Sequence, residues 1–227
     1  MIHYHGTPIT PKTKLLQMSG RHFCVSFADK RDLETCLEIG QSVMMDNGAF
    51  TAYTQGKPLD YQGFVNWCEE YLQPPHWAVI PDVIDGSVEQ QREYIKKWPF
   101  PKELSAPVFH LGLGLEWMLE LADNFPKICI GSSGEFWQIG TRKWHQRMDQ
   151  VFELLSKKQF LPWIHGMRML GQSDGKYPLA SADSSNIARH HAELRINPDQ
   201  MAQRIDSLQP ARKWKPSPQL DLIGEEQ

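Results

Sequence analysis

The 227-residue sequence contains no apolar run approaching the roughly 18 residues of a membrane-spanning helix. Cysteine is scarce and scattered: Cys24, Cys36, Cys68 and Cys129 form no C-x-x-C pair. That spacing supports neither a disulfide framework nor a cysteine-rich zinc site, and it fits a reducing cytoplasm. Residues 1–10 are polar and histidine-rich, without the apolar stretch of a secretory signal. No G-x-G-x-x-G follows the first strand-like run and no G-x-x-x-x-G-K-[ST] occurs. Gly112-Leu-Gly114 lacks the third glycine, so dinucleotide and P-loop readings are weak. Excess positive charge is also missing. The formal net charge of -3 argues against a generic basic coat for nucleic acid.

What is present is enough for a packed core: 41% hydrophobic and 22% charged residues, with eight tryptophans that suit pockets as well as interiors. The charge is unevenly spread. Residues 32–93 carry 11 acidic and 2 basic side chains, whereas residues 142–168 carry 6 basic and 2 acidic. Residues 10–31 carry 5 basic and 1 acidic. Such blocks read equally as solvated helix faces or as local sites for phosphate.

Seven short apolar runs recur, at residues 22–27, 42–45, 77–80, 107–110, 127–130, 161–164 and 179–182. Their length and composition suit buried parallel strands. Helical periodicity fills the intervals at residues 32–39, 60–72, 87–98, 115–125 and 141–158, with Ser87 and Thr141 as expected N-caps. Alternation of this kind predicts an α/β fold with a parallel sheet. Seven strands in so short a chain favour a compact (β/α)8 TIM-like barrel whose eighth strand is weak or irregular. Residues 1–208 are expected to form this barrel as one catalytic domain, and residues 209–227 an extended or frayed tail.

In a barrel, function gathers where strands end. The strand ends here read Asp46-Asn-Gly-Ala-Phe50, Pro81-Asp-Val-Ile-Asp85, His110-Leu-Gly-Leu-Gly114, Gly131-Ser-Ser-Gly134, His165-Gly-Met-Arg-Met-Leu-Gly171 and Asp183-Ser-Ser-Asn186. Each also has a plainer structural reading. Asn47-Gly48 is a turn sequence. Asp82 and Asp85 could cap the helix after Ser87, and the segment at Asp183 could open a helix. Gly131 to Gly134 is an anion cradle or a flexible loop, and His165 a hydrogen-bonded core histidine. His3 with His5, and His190 with His191, have no third ligand in register, so no metal site is expected.

Taken together these segments resemble the tRNA-guanine transglycosylase superfamily. Met45-Asp-Asn-Gly-Ala-Phe50 is similar to its Asp-Ser-Gly-Gly-Phe/Tyr motif. Ile80-Pro-Asp-Val83 stands where the family has a base-recognising aspartate, and Ile130-Gly-Ser-Ser-Gly-Glu135 resembles its Gly-Gly turn. His165-Gly-Met-Arg-Met-Leu-Gly171 resembles the strand leading to Leu-Met-Gly-Val-Gly. Ala182-Asp-Ser-Ser-Asn-Ile-Ala-Arg189 resembles the segment with the nucleophilic aspartate. The order agrees over residues 22–195. The C-x-C-x-x-C…H zinc cluster of the tRNA enzymes has no counterpart, and the chain is much shorter. It is therefore most similar to short, phage-type members of the DNA-modifying, DpdA-like branch, which would place it in a host cytoplasm.

The resemblance implies an exchange of guanine in DNA for a 7-deazaguanine, without metal or redox cofactor. It makes Asp183 the nucleophile and Asp46 the proton-transfer group. Asp82, Phe50, Gly48, the backbone of Gly131 and Ser132, and the side chains of His110 and His165 become base or ribose contacts. Arg168, Arg189, Arg142 and Lys143 become contacts to nucleic-acid phosphates. The implied partners are DNA or RNA, a free cyano- or aminomethyl-deazaguanine, an accessory protein and a second copy of the chain. Water in place of the incoming base would make it an N-glycosidase, and loss of chemistry a nucleic-acid binding module. A lyase or aldolase would need a Schiff-base lysine or metal ligands at strand ends, and the sequence offers neither there.

Overall fold

The computed structural model describes residues 1–216. Its strands are β1 (Ile2–Gly6), β2 (His22–Ser26), β3 (Ser42–Asp46), β4 (Trp77–Val79), β5 (Ser105–Ala106), β6 (Val108–His110), β7 (Lys127–Gly131), β8 (Trp163–Gly166) and β9 (Ser181–Ser184). The helices are α1 (Lys12–Leu15), α2 (Leu33–Ile39), α3 (Ala49–Thr54), α4 (Tyr61–Tyr71), α5 (Val88–Lys97), α6 (Leu115–Asn124), α7 (Arg142–Ser156), α8 (Asn186–His190) and α9 (Pro198–Asp206). Every strand pairing is parallel, in the order β5-β4-β3-β2-β1-β9-β8-β7-β6. The two ends of this sheet, β5 and β6, are neighbours in the chain, separated only by Pro107. The Ala106 carbonyl accepts from the Ile80 N–H and the Pro107 carbonyl from the Cys129 N–H, both at 2.9 Å. The nine-stranded sheet thus nearly closes on itself as a TIM-like α/β barrel.

Two strands are missing from the seven apolar runs: the two-residue β5, which directly precedes the run at 107–110, and the first. β1 inserts between β2 and β9. Its histidines hide it from an apolar scan, because His3 and His5 are buried, 4% and 0% exposed. They turn outward from the barrel to Asp206 of α9, with His5 Nε2 3.0 Å from Asp206 Oδ1. Tyr4, between them, faces inward.

Period-two alternation then sorts the rest. Tyr4, Cys24, Met44, Trp77, Val79, Ala106, Val108 and Cys129 fill the barrel interior. Phe23, Val25, Val43, Met45 and Ala78 face one group of helices, and Phe109, Ile128, Ile130, Ile164 and Ala182 the other. The base of the barrel is plugged: the Lys127 amine lies 4.4 Å from the Trp77 ring centre, and Trp77 Nε1 donates to Tyr4 Oη at 2.9 Å.

Helix starts follow the expected chemistry. Ser87 forms a complete capping box with Gln90, and Thr141 accepts from the Trp144 N–H. Asp82 and Asp85 therefore do not cap α5. Residues 209–216 of the tail expected to be extended or frayed are described, and they form neither helix nor strand. The Ala211 N–H donates to the Gly175 carbonyl at 2.9 Å, and Trp214 Nε1 donates to Asp149 at 3.2 Å. Both tie the irregular segment to the barrel, while residues 217–227 of that expectation lie outside the described residues. Among the described residues no helix is long and apolar enough to cross a membrane.

Ser87→Ala removes half of a capping box on an exposed turn, so it should destabilise the protein by about 1 kcal/mol. Thermal denaturation should register this as a fall in Tm of about 2–4 °C, with no change in the far-ultraviolet spectrum of the native state.

Candidate active site at the barrel mouth

A cavity of about 290 Å³ opens where the strands end. Asp46, the last residue of β3, has the parity of the inward-facing Met44. The chain must then turn at once into α3, and Gly48 makes this possible at φ +75. A Cβ there would lie 3.1 Å from the Ala28 nitrogen. The Gly48 N–H reaches back to Asp46 Oδ2 at 3.2 Å, and the Ala49 N–H to Asn47 Oδ1 at 2.8 Å. This turn delivers Phe50 and Tyr53 to the cavity wall.

Asp82 follows β4 and is held on both oxygens. Asn47 Nδ2 donates to Oδ1 at 2.8 Å, and also to the Ile80 carbonyl at 2.9 Å. His110 Nε2 lies 2.8 Å from Oδ2. The other ring nitrogen of His110 is buried without a partner, on the side where Gly131 leaves room. The loop beyond is fixed by Gln91, whose side chain bonds both the N–H and the carbonyl of Val83. Asp85 adopts φ +57 and accepts from the Tyr53 hydroxyl at 2.9 Å.

Asp183, on β9, is held by a chain of donors whose direction can be worked out. Trp163 Nε1 can only donate, and it does so to Ser181 Oγ at 2.7 Å. The Ser181 hydroxyl hydrogen is then available to His165 Nδ1 at 2.8 Å. That leaves the hydrogen of a neutral imidazole on Nε2, aimed at Asp183 Oδ1 3.1 Å away. The Arg168 N–H donates to the same oxygen at 2.8 Å. Arg168 sits at φ +57, a conformation that non-glycine residues adopt at a cost and that clusters at functional sites. Its guanidinium lies 4.0 Å from the centre of the Phe50 ring.

The carboxylates sense one another. Burial raises the Asp46 pKa to about 6, and the charges of Asp183 and Asp82 add to the rise. Hydrogen bonds from Ser26 and Gly48 oppose it. Cys24 and Cys129 are pushed well above the usual thiol range by burial, then by the Asp183 charge, so they remain thiols.

The mouth brings together Asp46, Asp82, Phe50, His110, Gly131, Ser132 and Arg168, all of which line the cavity. Asp183 is 8% exposed and does not line it, although Arg168, which binds it, does. His165 is fully buried, packs against Tyr4 and Trp77 and hydrogen-bonds to Asp183 and Ser181, so it positions the nucleophile candidate. Gly48 shapes the turn. The Ser132 hydroxyl accepts from Trp144 Nε1 at 2.9 Å, which leaves its backbone as the available group. Arg189 lies in a separate cleft with Asp174, Ser184 and Asn186. Arg142 and Lys143 begin α7, where Lys143 pairs with Glu135.

Sequence reasoning missed Asn47, Tyr53, Asp85, Trp137 and Met167 as parts of the site. Asn47 and Asp85 were visible only as turn and cap residues. Trp137, 65% exposed on a cavity loop, had no periodic signal. No family model, curated protein or solved structure matches the chain.

The raised Asp46 pKa carries a sign that can be tested. Between about pH 4 and 6 the native state binds this proton more tightly than the unfolded chain, so stability falls as pH rises through that window. Asp46→Asn lacks the cost. By urea denaturation it should be more stable than wild type at pH 7.5, by on the order of 2 kcal/mol, and the difference should shrink towards pH 4.5. An advantage that stayed the same at both pH values would show that Asp46 is not buried as a proton acceptor.

Proposed function

We propose that the chain is a guanine transglycosylase of DNA, which replaces guanine by a 7-deazaguanine through a covalent aspartyl-glycosyl intermediate. One observation carries this reading: three aspartates, Asp46, Asp82 and Asp183, converge at one barrel mouth in three different environments. Read as two halves of one strand across Pro107, β5 and β6 also bring the barrel to the (β/α)8 count.

In the first half-reaction a carboxylate oxygen of Asp183 bonds to C1′ of the target nucleotide as the C1′–N9 bond breaks. His165 and the Arg168 N–H aim that carboxylate. The departing guanine takes a proton from Asp46, whose pKa near 6 suits an acid that must also act as a base. In the second half-reaction the incoming 7-deazaguanine returns a proton to Asp46. Its ring nitrogen bonds to C1′, and Asp183 leaves as a carboxylate. Two inversions give retention, and no electrons are gained or lost.

Asp82, pinned by Asn47 and His110, accepts from the N1–H and exocyclic amine of guanine. Adenine offers no such pair of donors. The backbone of Gly131 and Ser132 faces the O6 side, and Phe50 offers its ring to the base. The target base leaves its stack to enter, and Arg168, Arg142, Lys143 and the more distant Arg189 are the groups for strand phosphates.

The deciding assay supplies radiolabelled guanine with DNA and tRNA side by side. Label should enter DNA with wild type and fall at least a thousandfold with Asp183→Ala. Entry into tRNA alone would keep the chemistry and replace the polymer. Release of free guanine without incorporation would make the protein an N-glycosidase. Neither exchange nor release, from folded protein, would overturn the reading.

A further inference from the structure

Arg168 joins two parts of the mouth. Its main-chain N–H holds Asp183, and its side chain covers Phe50. The loop beneath is fixed: the Met167 N–H donates to the Ile130 carbonyl at 3.0 Å, and Met169 and Leu170 are buried. The exposed guanidinium is the part free to move. Among the described residues it pairs with no carboxylate, and it lies on the Phe50 ring. Phe50 itself is 47% exposed, so the guanidinium occupies a ring face that water and ligands otherwise reach.

We propose that Arg168 is an exchangeable cap on Phe50. In the free protein the guanidinium takes the stacking face. When a nucleotide within a chain arrives, its phosphate draws the guanidinium away and its base takes the ring. A free base brings no phosphate, so it must displace the cap unaided. Arg168 thereby selects for bases attached to a phosphate backbone. This rests on the transglycosylase reading above, which places a base on Phe50. It adds that the ring is unavailable until a phosphate binds.

The stacking of an exposed guanidinium on an aromatic ring corresponds to about a two- to fivefold change in an equilibrium. Removing it should have opposite effects on the two ligand types. Calorimetric titration of the full chain would use free guanine and a guanine-containing single-stranded DNA oligonucleotide. Arg168→Ala should bind guanine about two- to fivefold more tightly and the oligonucleotide more weakly. The slope of log affinity against log salt should be shallower by about one phosphate contact. Arg168→Gly, which tolerates the left-handed backbone, should behave alike and guards against a shifted loop. In Phe50→Ala/Arg168→Ala the gain for free guanine should vanish.

If wild type binds both ligands but Arg168→Ala and Arg168→Gly change both affinities in the same direction, the cap is overturned and the transglycosylase reading stands. If wild type binds neither ligand, both are overturned together.

Discussion

Like charge crowded into one barrel mouth is the constraint on which the site depends. The charges of Asp183 and Asp82 add to the cost of ionising Asp46, and the three carboxyl groups meet different donors. Asp183 receives an imidazole N–H and a main-chain N–H on one oxygen. Asp82 receives an amide and an imidazole on separate oxygens. Asp46 has a serine hydroxyl and a long bond from Gly48, and burial drives it up to about 6. In the proposed chemistry this difference divides the labour. The group raised by burial is the proposed proton carrier, and the group aimed by an imidazole and a main-chain N–H on one oxygen is the proposed nucleophile.

Those donors come from the barrel's own alternation. Trp163, His165, Ser181 and Asp183 lie on adjacent strands β8 and β9, with His165 in register with Ser181. The same inward parity that places Asp183 near the mouth places Ser181 one layer deeper. A hydrogen-bond relay from an indole to a carboxylate thus needs no loop and no flexible side chain. The indole, which cannot accept, fixes the first bond, and the later ones point towards Asp183 when Ser181 donates onward to His165. His110 has no such partner on its second nitrogen, and it works from one side only. The two histidines look equivalent as strand-end residues, yet among the described residues His165 is hydrogen-bonded through both ring nitrogens and His110 through one.

Much of the fold was legible because seven strands are apolar and the helix caps are local chemistry. Ser87 and Thr141 needed only their neighbours three residues on. β1 was not legible, because His3 and His5 are made buriable by Asp206, some 200 residues away in sequence. The site shows the same division. Asp46, Asp82 and Asp183 could be found as acids at the ends of strands. Asn47 could not be distinguished from an ordinary turn residue, since its role lies in reaching across to Asp82 and Ile80. Arg189 followed Asp183 closely in sequence, yet the short α8 turns it into a different cleft. Sequence proximity to a site residue is a poor guide once a helix intervenes.

The uneven charge of the sequence acquires a spatial meaning in the barrel. The acidic block supplies Asp46, Asp82 and Asp85, which follow β3 and β4. The basic block at residues 142–168 supplies Arg142, Lys143 and Arg168, which follow β7 and β8. The other basic block divides: Arg21, preceding β2, is spent on Asp199 and Asp206, while Lys30 lies over Phe27 beyond the strand's far end. The mouth therefore has an acidic arc and a basic arc, separated on one side by β5 and β6. Phosphates are repelled by the first and attracted by the second, whereas the donor-rich edge of a guanine is drawn the other way. On the proposed reading, a nucleotide entering such a mouth would be oriented by its own polarity, with the sugar and its C1′ carbon between the arcs, before any specific contact to the base is made.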